Sequence, residues 1–299
     1  MSVIKFYDNN LRLITFEVLI MKYKKILLFF SITLPLSILL RTLQLFFTVE
    51  TTTGFFKTEY KTISFYLFAV IVAVCAGIAA VCFTGHRNPE HPPKINPILA
   101  VSSFLTAVCV IAELFDRSSD AVAKPWQTIL LAVCGLLAAV YFLFYGISGF
   151  VSIRLSPLLS LIPSVYFIVK IICYFTAISS LALISDNILV LSAYCVMLLF
   201  FLNFGKLYNG IDSERNFRKL MASGLVSVTL CFTQGLPHII INLANAGSYQ
   251  HTSNAANLAL LGFGLFIAVF TFSHFSVKNI EVIRRRKSSE TTDGGFYFN

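Results

Sequence analysis

Three charged residues lie within apolar stretches and are the main candidates for chemistry in this sequence: Arg41, Glu113 and Lys170. An ionisable side chain is costly in hydrocarbon, so each should face neighbouring helices or a wet cavity. Arg41 and Glu113 lie near the same end of their stretches, which predicts an ion pair between them. Lys170 lies near the middle of its stretch, with no acidic residue expected at its depth. Its predicted partners are backbone carbonyls, Asn203, Gln234, Asn242 or an anionic ligand.

These three charged residues could also have a purely structural role. Arg41 and Glu113 could extend to the outer headgroups and fix the register of their helices, with no ligand involved. Extension to the headgroups is harder for Lys170, because it lies deeper. The three residues are therefore predicted to form either an ion-pair site or a ligand site.

A short polar loop offers the one candidate metal site. His86, Glu90 and His91 stand among prolines between residues 85 and 97. A zinc site needs four ligands, or three with an open position, in a defined geometry. Three donors at irregular spacing fit a proline-stiffened, solvated loop better, and we predict no metal here.

Cofactor and catalytic motifs are missing from the sequence. It contains no GxxxxGK[ST], HExxH, GxSxG or paired CxxC pattern, so we predict no enzyme activity. His238 and His274 lie towards opposite ends of adjacent spans, roughly 20 Å or more apart in depth at 1.5 Å per residue. That separation excludes a haem ligated by both, and no cofactor is predicted. The seven cysteines all fall in apolar spans and are interpreted as small buried residues.

Composition shows which elements must position these residues. The chain has 299 residues, of which 57% are hydrophobic and only 12% charged, and its mean hydropathy is +0.80. A soluble domain would need more charge to cover its surface. Apolar runs of about 20 residues are long enough to cross a bilayer as helices. The prediction is an all-α transmembrane bundle of about eight spans, at 26–48, 63–84, 96–116, 127–148, 157–182, 187–206, 220–243 and 255–276.

The basic residues predict how these spans are oriented. With the N-terminus in the cytoplasm, 17 of the 23 lysines and arginines fall in inner segments, 4 in outer loops, and Arg41 and Lys170 within spans. This bias obeys the positive-inside rule and predicts that both termini are cytoplasmic. The net charge of +9 is then explained by topology and anionic inner-leaflet lipid. No nucleic acid partner is predicted.

The two ends of the chain are predicted to lie outside the bundle of residues 25–277. Residues 1–24 are interpreted as a cytoplasmic segment, either a short helix on the membrane surface or an extension upstream of a native start at Met21. Residues 278–299 are predicted to be a cytoplasmic tail that is first basic and then disordered.

Two stretches resemble multi-pass membrane proteins of Gram-positive, Clostridia-like bacteria. The first runs from Leu34 through Arg41 to the Glu50-Thr51-Thr52-Thr53-Gly54 turn, and the second from Asn203 through Arg218. The acidic residue of the first turn is displaced to Glu50 relative to that family's pattern. The resemblance implies a bundle of about eight helices in a bacterial plasma membrane. It implies no particular activity, because the family has none assigned.

Two classes of function are compatible with this sequence. The first is a transporter-like protein in which Arg41 and Lys170 attract a small anionic ligand and Glu113 supplies the counter-charge. The second is a membrane anchor or accessory subunit of a larger complex, for example a quinone-linked one, with a protein partner on the basic cytoplasmic loops. The lipid bilayer is the expected surrounding in either case.

Overall fold

The described part of the chain is built from helices and contains no strand. The computed structural model describes residues 26–48, 57–83, 96–116, 125–151, 156–178, 185–210, 213–244 and 253–293, the last of these as backbone only from residue 274. Short 3-10 turns at Thr58–Tyr60 and Pro157–Leu161 precede two of the helices. The helices are α1 Ile26–Thr48, α2 Lys61–Phe83, α3 Pro97–Phe115, α4 Pro125–Ser148, α5 Ile162–Ile178, α6 Ser185–Tyr208, α7 Ser213–Ala244 and α8 Asn254–Asp293.

The predicted transmembrane architecture is confirmed at the level of the helices. Within the described residues, eight helices are long and apolar enough to cross a membrane. Most ends lie within a few residues of the predicted ones. The largest differences are that α7 begins at Ser213 and that α8 continues to Asp293, into the segment assigned to a disordered tail. Residues 1–25, including the predicted surface helix, lie outside the described residues.

Six of the helices close a cycle of contacts. Helix α3 packs against α4, α4 against α5, α5 against α6, α6 against α7, α7 against α8, and α8 against α3. Helix α2 packs against α7. Helix α7 is accordingly the most enclosed, with 78% of its span buried, whereas only 28% of α1 and 17% of α2 are buried. The apolar side chains that α1 and α2 expose suit contact with lipid.

Aromatic rings fill the space between α4, α5, α6 and α8. The ring centroid of Phe142 lies 5.0 Å from that of Phe266 and 5.6 Å from that of Phe263. Phe167 approaches Phe263 to 4.9 Å and stacks on Phe201. Edge-to-face and offset contacts of this kind are the favourable geometries for aromatic pairs. The space between these four helices is therefore a packed aromatic core.

Helix α7 packs closely against α8 and is interrupted by a proline. At Gly264 of α8, an added Cβ would lie 2.9 Å from Cβ of Cys231, so the absence of a side chain lets α7 and α8 approach. Pro237 stands inside α7, where it has no N–H to offer the carbonyl of Thr233. Gln234 and His238 lie on either side of this proline.

Candidate functional site

Helix α1 carries Arg41 into the interior, where the side chain is fully buried. Its Nη1 donates a hydrogen bond to Oε1 of Gln44, one turn further along α1. Its Nη2 donates to Oε1 of Gln234 on α7 at 3.5 Å. The guanidinium therefore joins α1 to α7, with its planar fork oriented by two amide oxygens.

Two further groups extend this hydrogen-bond chain. Gln44 Nε2 donates to the carbonyl oxygen of Ser64 on α2 at 3.0 Å, and Gln234 Nε2 lies 2.9 Å from Nε2 of His238. Since an amide nitrogen only donates, Nε2 of His238 is the acceptor and the ring proton lies on Nδ1. Gln44, Gln234 and His238 are all buried. We call Arg41, Gln44, Gln234 and His238 the arginine cluster.

The second charged group is an ion pair between α3 and α5. Nζ of Lys170 lies 2.6 Å from Oε1 and 2.8 Å from Oε2 of Glu113. The two side chains retain 6% and 14% of their accessible surface, so the pair is largely removed from solvent. Breaking such a pair leaves an uncompensated charge, whereas the intact pair compensates both.

Two tyrosines complete the surroundings of this pair. The hydroxyl of Tyr166 donates to Oε2 of Glu113 at 3.1 Å and accepts from Lys170 Nζ at 3.0 Å. Nζ also lies 4.7 Å from the ring centroid of Tyr194 on α6, a cation–π contact. We call Glu113, Lys170 and Tyr166 the lysine–glutamate cluster; it links α3 with α5 and lies against α6.

The predicted pairing of Arg41 with Glu113 is wrong. Glu113 instead pairs with Lys170, so the expectation that Lys170 has no acidic residue at its depth is wrong as well. Glu113 lies two residues before the end of α3 and Lys170 eight before the end of α5. Counted along the helices, that is a difference of roughly 9 Å at 1.5 Å per residue. The long, flexible stem of lysine covers much of this difference.

The uncharged partners predicted for Lys170 lie elsewhere. Gln234 belongs to the arginine cluster. The carbonyl oxygen of Asn203 accepts from Nδ2 of Asn216, and Nδ2 of Asn242 donates to Oδ1 of Asn254 at 2.6 Å. These contacts join α6 to α7 and α7 to α8, and they have no part in either charged cluster.

Potential metal ligands do not cluster among the described residues. No three His, Cys, Asp or Glu side chains converge there in an arrangement that could hold a metal ion. His238 is part of the arginine cluster. The loop with His86, Glu90 and His91, and the side chain of His274, lie outside what the structure describes.

An apolar groove lies on the outer surface of the helix cycle. It has a volume of about 280 Å³ and opens between α4 and the beginning of α5. Its walls are Cys134, Leu137, Leu158, Leu161, Ile162, Val165 and Tyr166. Since the hydroxyl of Tyr166 bonds to Glu113 and Lys170, this residue connects the groove to the lysine–glutamate cluster.

Sequence reasoning selected Arg41, Glu113 and Lys170, but it assigned Gln234 to Lys170 and did not predict the arginine cluster. Gln44 stands three residues after Arg41, and Gln234 and His238 stand four apart on α7. Polar residues three or four apart in an apolar span share one face of a helix. This spacing was the feature of the sequence that could have revealed the arginine cluster.

Comparisons with protein-family models, curated proteins and solved structures find no match to this chain.

Proposed function

We propose that this chain is a multi-pass protein of a bacterial plasma membrane that binds a small anion at the arginine cluster, as a transporter-like protein would. The proposed orientation has both termini in the cytoplasm, on the strength of the lysine and arginine bias. The bacterial origin is proposed from the resemblance of two sequence stretches. The eight apolar helices support the membrane location.

The observation that carries this proposal is the setting of Arg41. Its guanidinium is fully buried in a span, where a charge is most expensive, and its two terminal nitrogens donate hydrogen bonds to the amide oxygens of Gln44 and Gln234. Lys170 differs, because it contacts both carboxylate oxygens of Glu113 and is neutralised by them. Because Glu113 already pairs with the ammonium group of Lys170, we place the proposed anion at Arg41.

The chemistry of the cluster indicates which anions would bind. A guanidinium presents parallel N–H groups that match two oxygens of a carboxylate or phosphate. The amide of Gln234 and the imidazole of His238 add hydrogen-bonding groups within the same turn of α7. The proposed ligand is therefore a small carboxylate or phosphate that enters the α1–α7 interface.

Thermal unfolding of the purified full chain in lipid nanodiscs tests this proposal. A panel of acetate, succinate and inorganic phosphate, with chloride to hold ionic strength constant, should contain an anion that raises the unfolding midpoint. Arg41→Gln should abolish the shift and Arg41→Lys should reduce it, because lysine keeps the charge and loses the planar fork. Lys206→Gln, which removes an exposed lysine of α6, is the matched control and should leave the shift unchanged. An equal shift in wild type and Arg41→Gln would refute the anion site.

Tag accessibility tests the proposed orientation separately. Protease-sensitive tags at both ends should be cleaved only after cells are permeabilised. Cleavage of one tag in intact cells would place the ends on opposite faces and would overturn the even number of spans.

The apolar groove favours a second candidate function, that of an accessory subunit in a quinone-linked complex. The groove opens beside lipid-facing residues such as Leu158, which is 72% exposed, and Tyr166 forms part of its wall. The apolar tail of an isoprenoid quinone suits such a groove. Photo-crosslinking with an azido-quinone should label α4 and α5 and should be reduced by Leu161→Trp, which fills the groove. Labelling that Leu161→Trp does not change would exclude this candidate.

A further inference from the structure

Three basic residues share one face at the start of α7. Arg218 and Lys219 stand three and four residues after Arg215, and positions with this spacing lie on the same side of a helix. Lys219 is exposed and Arg218 is half-buried. Further along the same side, Ala222 and Val226 are buried by neighbouring helices. The three basic residues therefore lie where this side of α7 emerges from the helix packing, and we call them the basic face.

The protein itself leaves Arg218 partly unsatisfied. Its Nε is buried and has no hydrogen-bond partner in the part of the chain that the structure describes. A buried N–H of a charged group is costly without an acceptor, so an acceptor supplied by a ligand would be favourable there. Glu214, whose side chain lies outside the described part, is the one acidic residue between positions 214 and 219. Against three basic residues it leaves this segment with a net charge of +2.

The place of these charges within α7 also favours an anion. Helix α7 begins at Ser213, so the basic face lies within its first two turns. The N-terminus of a helix has a partial positive charge, which repels cationic side chains and attracts anions. An anion beside Arg218 would therefore be attracted by the guanidinium and by the helix, and it would relieve the repulsion between them.

The basic face lies at the depth of the lipid headgroups. The span of α7 is 29 residues long, from Asn216 to Ala244. At 1.5 Å per residue its length is roughly 43 Å, which matches the ~40–45 Å of a bilayer with its headgroup regions. Arg218 and Lys219 belong to the first turn of this span. The phosphate groups of phospholipids are the anions present at that depth.

An exposed apolar surface lies beside the basic face. Ser64 near the start of α2 and Gln234 on α7 bond to residues one turn apart on α1, and α2 packs against α7. Phe83 lies 19 residues beyond Ser64 and Arg218 lies 16 residues before Gln234, which is roughly 28 and 24 Å along the two helices. The end of α2 and the start of α7 are therefore neighbours at similar depth. Phe83 is 52% exposed, and most of α2 faces outward.

We propose that the basic face binds the phosphate group of an anionic phospholipid, with the acyl chains along the exposed apolar side of α2. The guanidinium of Arg218 presents paired N–H groups to two phosphate oxygens, and Lys219 adds a point charge. Basic sites between membrane helices recognise lipid headgroups in this way. The inference needs only the membrane location. It does not depend on an anion at the arginine cluster, where Gln234 lies roughly 24 Å from Arg218 along α7.

Lipid retention by the purified full chain tests the site. Native mass spectrometry in neutral detergent compares dioleoyl phosphatidylglycerol with dioleoyl phosphatidylcholine, which has the same acyl chains and no net charge. The wild type should bind phosphatidylglycerol more tightly. Arg218→Gln should weaken that binding at least about tenfold, because it removes charge-assisted hydrogen bonds to the phosphate. Arg218→Lys should lie between the two, because it keeps the charge and loses the planar fork.

Two further variants separate the site from general surface charge. Lys206→Gln removes an exposed lysine from the last turn of α6, outside the basic face, and should leave the affinity for phosphatidylglycerol unchanged. Glu214→Gln removes the one negative charge of the segment and should strengthen binding. If Arg218 serves only as a helical partner of Glu214, four residues earlier, then Glu214→Gln would not change the lipid affinity, and the proposal would be wrong.

Equal affinity of the wild type for the two lipids, or an affinity that Arg218→Gln does not change, would overturn the site. If Arg218→Gln lowers the unfolding midpoint in phosphatidylcholine nanodiscs, Lys219→Gln, at an exposed position, replaces it under the same criterion. Inorganic phosphate has the headgroup chemistry without acyl chains and should not displace phosphatidylglycerol at equal concentration. Displacement would assign the basic face to free phosphate and would exclude the lipid. A failed anion test at Arg41 leaves this result unaffected.

Discussion

The arginine cluster and the lysine–glutamate cluster place a cation in the same bundle in two different ways. Lys170 touches both oxygens of Glu113, a tyrosine hydroxyl and an aromatic face, so its charge is compensated by residues of the protein. Arg41 is oriented by amide dipoles from α1 and α7. The comparison teaches that burial of a charge does not by itself identify a ligand site. Contact with both oxygens of a carboxylate identifies Lys170 as one half of a structural ion pair.

Loss of one partner of the ion pair should have the largest effect on stability. Lys170→Met keeps the length of the side chain and leaves the Glu113 carboxylate without its cation. We expect a loss of about 3 kcal/mol in unfolding free energy, because a buried charge then lacks compensation. Equilibrium unfolding in mixed micelles measures this change in unfolding free energy.

The double variant Lys170→Met/Glu113→Gln sharpens this result. It removes both charges, so it should recover more than half of the stability that the single variant loses. Equal instability of single and double variants would mean that the ion pair does not account for the loss, and the contrast between the two clusters would fail.

Anion-dependent stabilisation should separate the two clusters directly. At about 100 times its dissociation constant, a ligand that binds only the folded state stabilises it by about 2.7 kcal/mol. The double variant Lys170→Met/Glu113→Gln should keep this gain, whereas Arg41→Gln should lose it. If the double variant also lost the anion-dependent stabilisation, the two clusters would have to act as one functional site.

Removal of the amide that contacts the guanidinium should have an intermediate effect. Gln234→Leu removes the hydrogen bond from the guanidinium and the bond to His238, and it should cost about 1.5 kcal/mol or more. Gln127→Leu is the control, because Gln127 is equally buried but donates to the neutral hydroxyl of Thr176 at 2.7 Å. Its expected cost is about 0.6 kcal/mol, an average for hydrogen bonds between membrane helices. Equal costs would argue that the charge of Arg41 adds nothing to this contact.

The smallest expected effect is that of the tyrosine hydroxyl in the lysine–glutamate cluster. Tyr166→Phe removes one bond to Glu113 and one to Lys170 and should cost about 1 kcal/mol, since the ion pair itself remains. Tyr145→Phe, which removes a bond 2.8 Å long to the hydroxyl of Tyr208, should cost less. A reversal of this order would show that the hydroxyl is not needed beside the pair.

The spans could be predicted from sequence because they depend on local composition and on the thickness of the bilayer. The burial of Arg41 and Lys170 followed from the cost of charge in hydrocarbon. The pairing of Glu113 with Lys170 could not be predicted, since counting residues from helix ends gives the depth of the backbone and omits the length of the lysine side chain. The contact of Arg41 with Gln234 depends on the packing of α1 against α7, which hydropathy does not encode.

The proline of α7 has a consequence for how the arginine cluster could respond to a ligand. Pro237 leaves α7 without the backbone bond to the carbonyl of Thr233, and the side-chain bond between Gln234 and His238 bridges this missing rung. Gln234 belongs to the segment before the gap and His238 to the segment after it. An anion that takes either side chain as its own partner would remove this brace and make α7 easier to bend at that point. Occupancy of the proposed site would therefore change the curvature of the most enclosed helix.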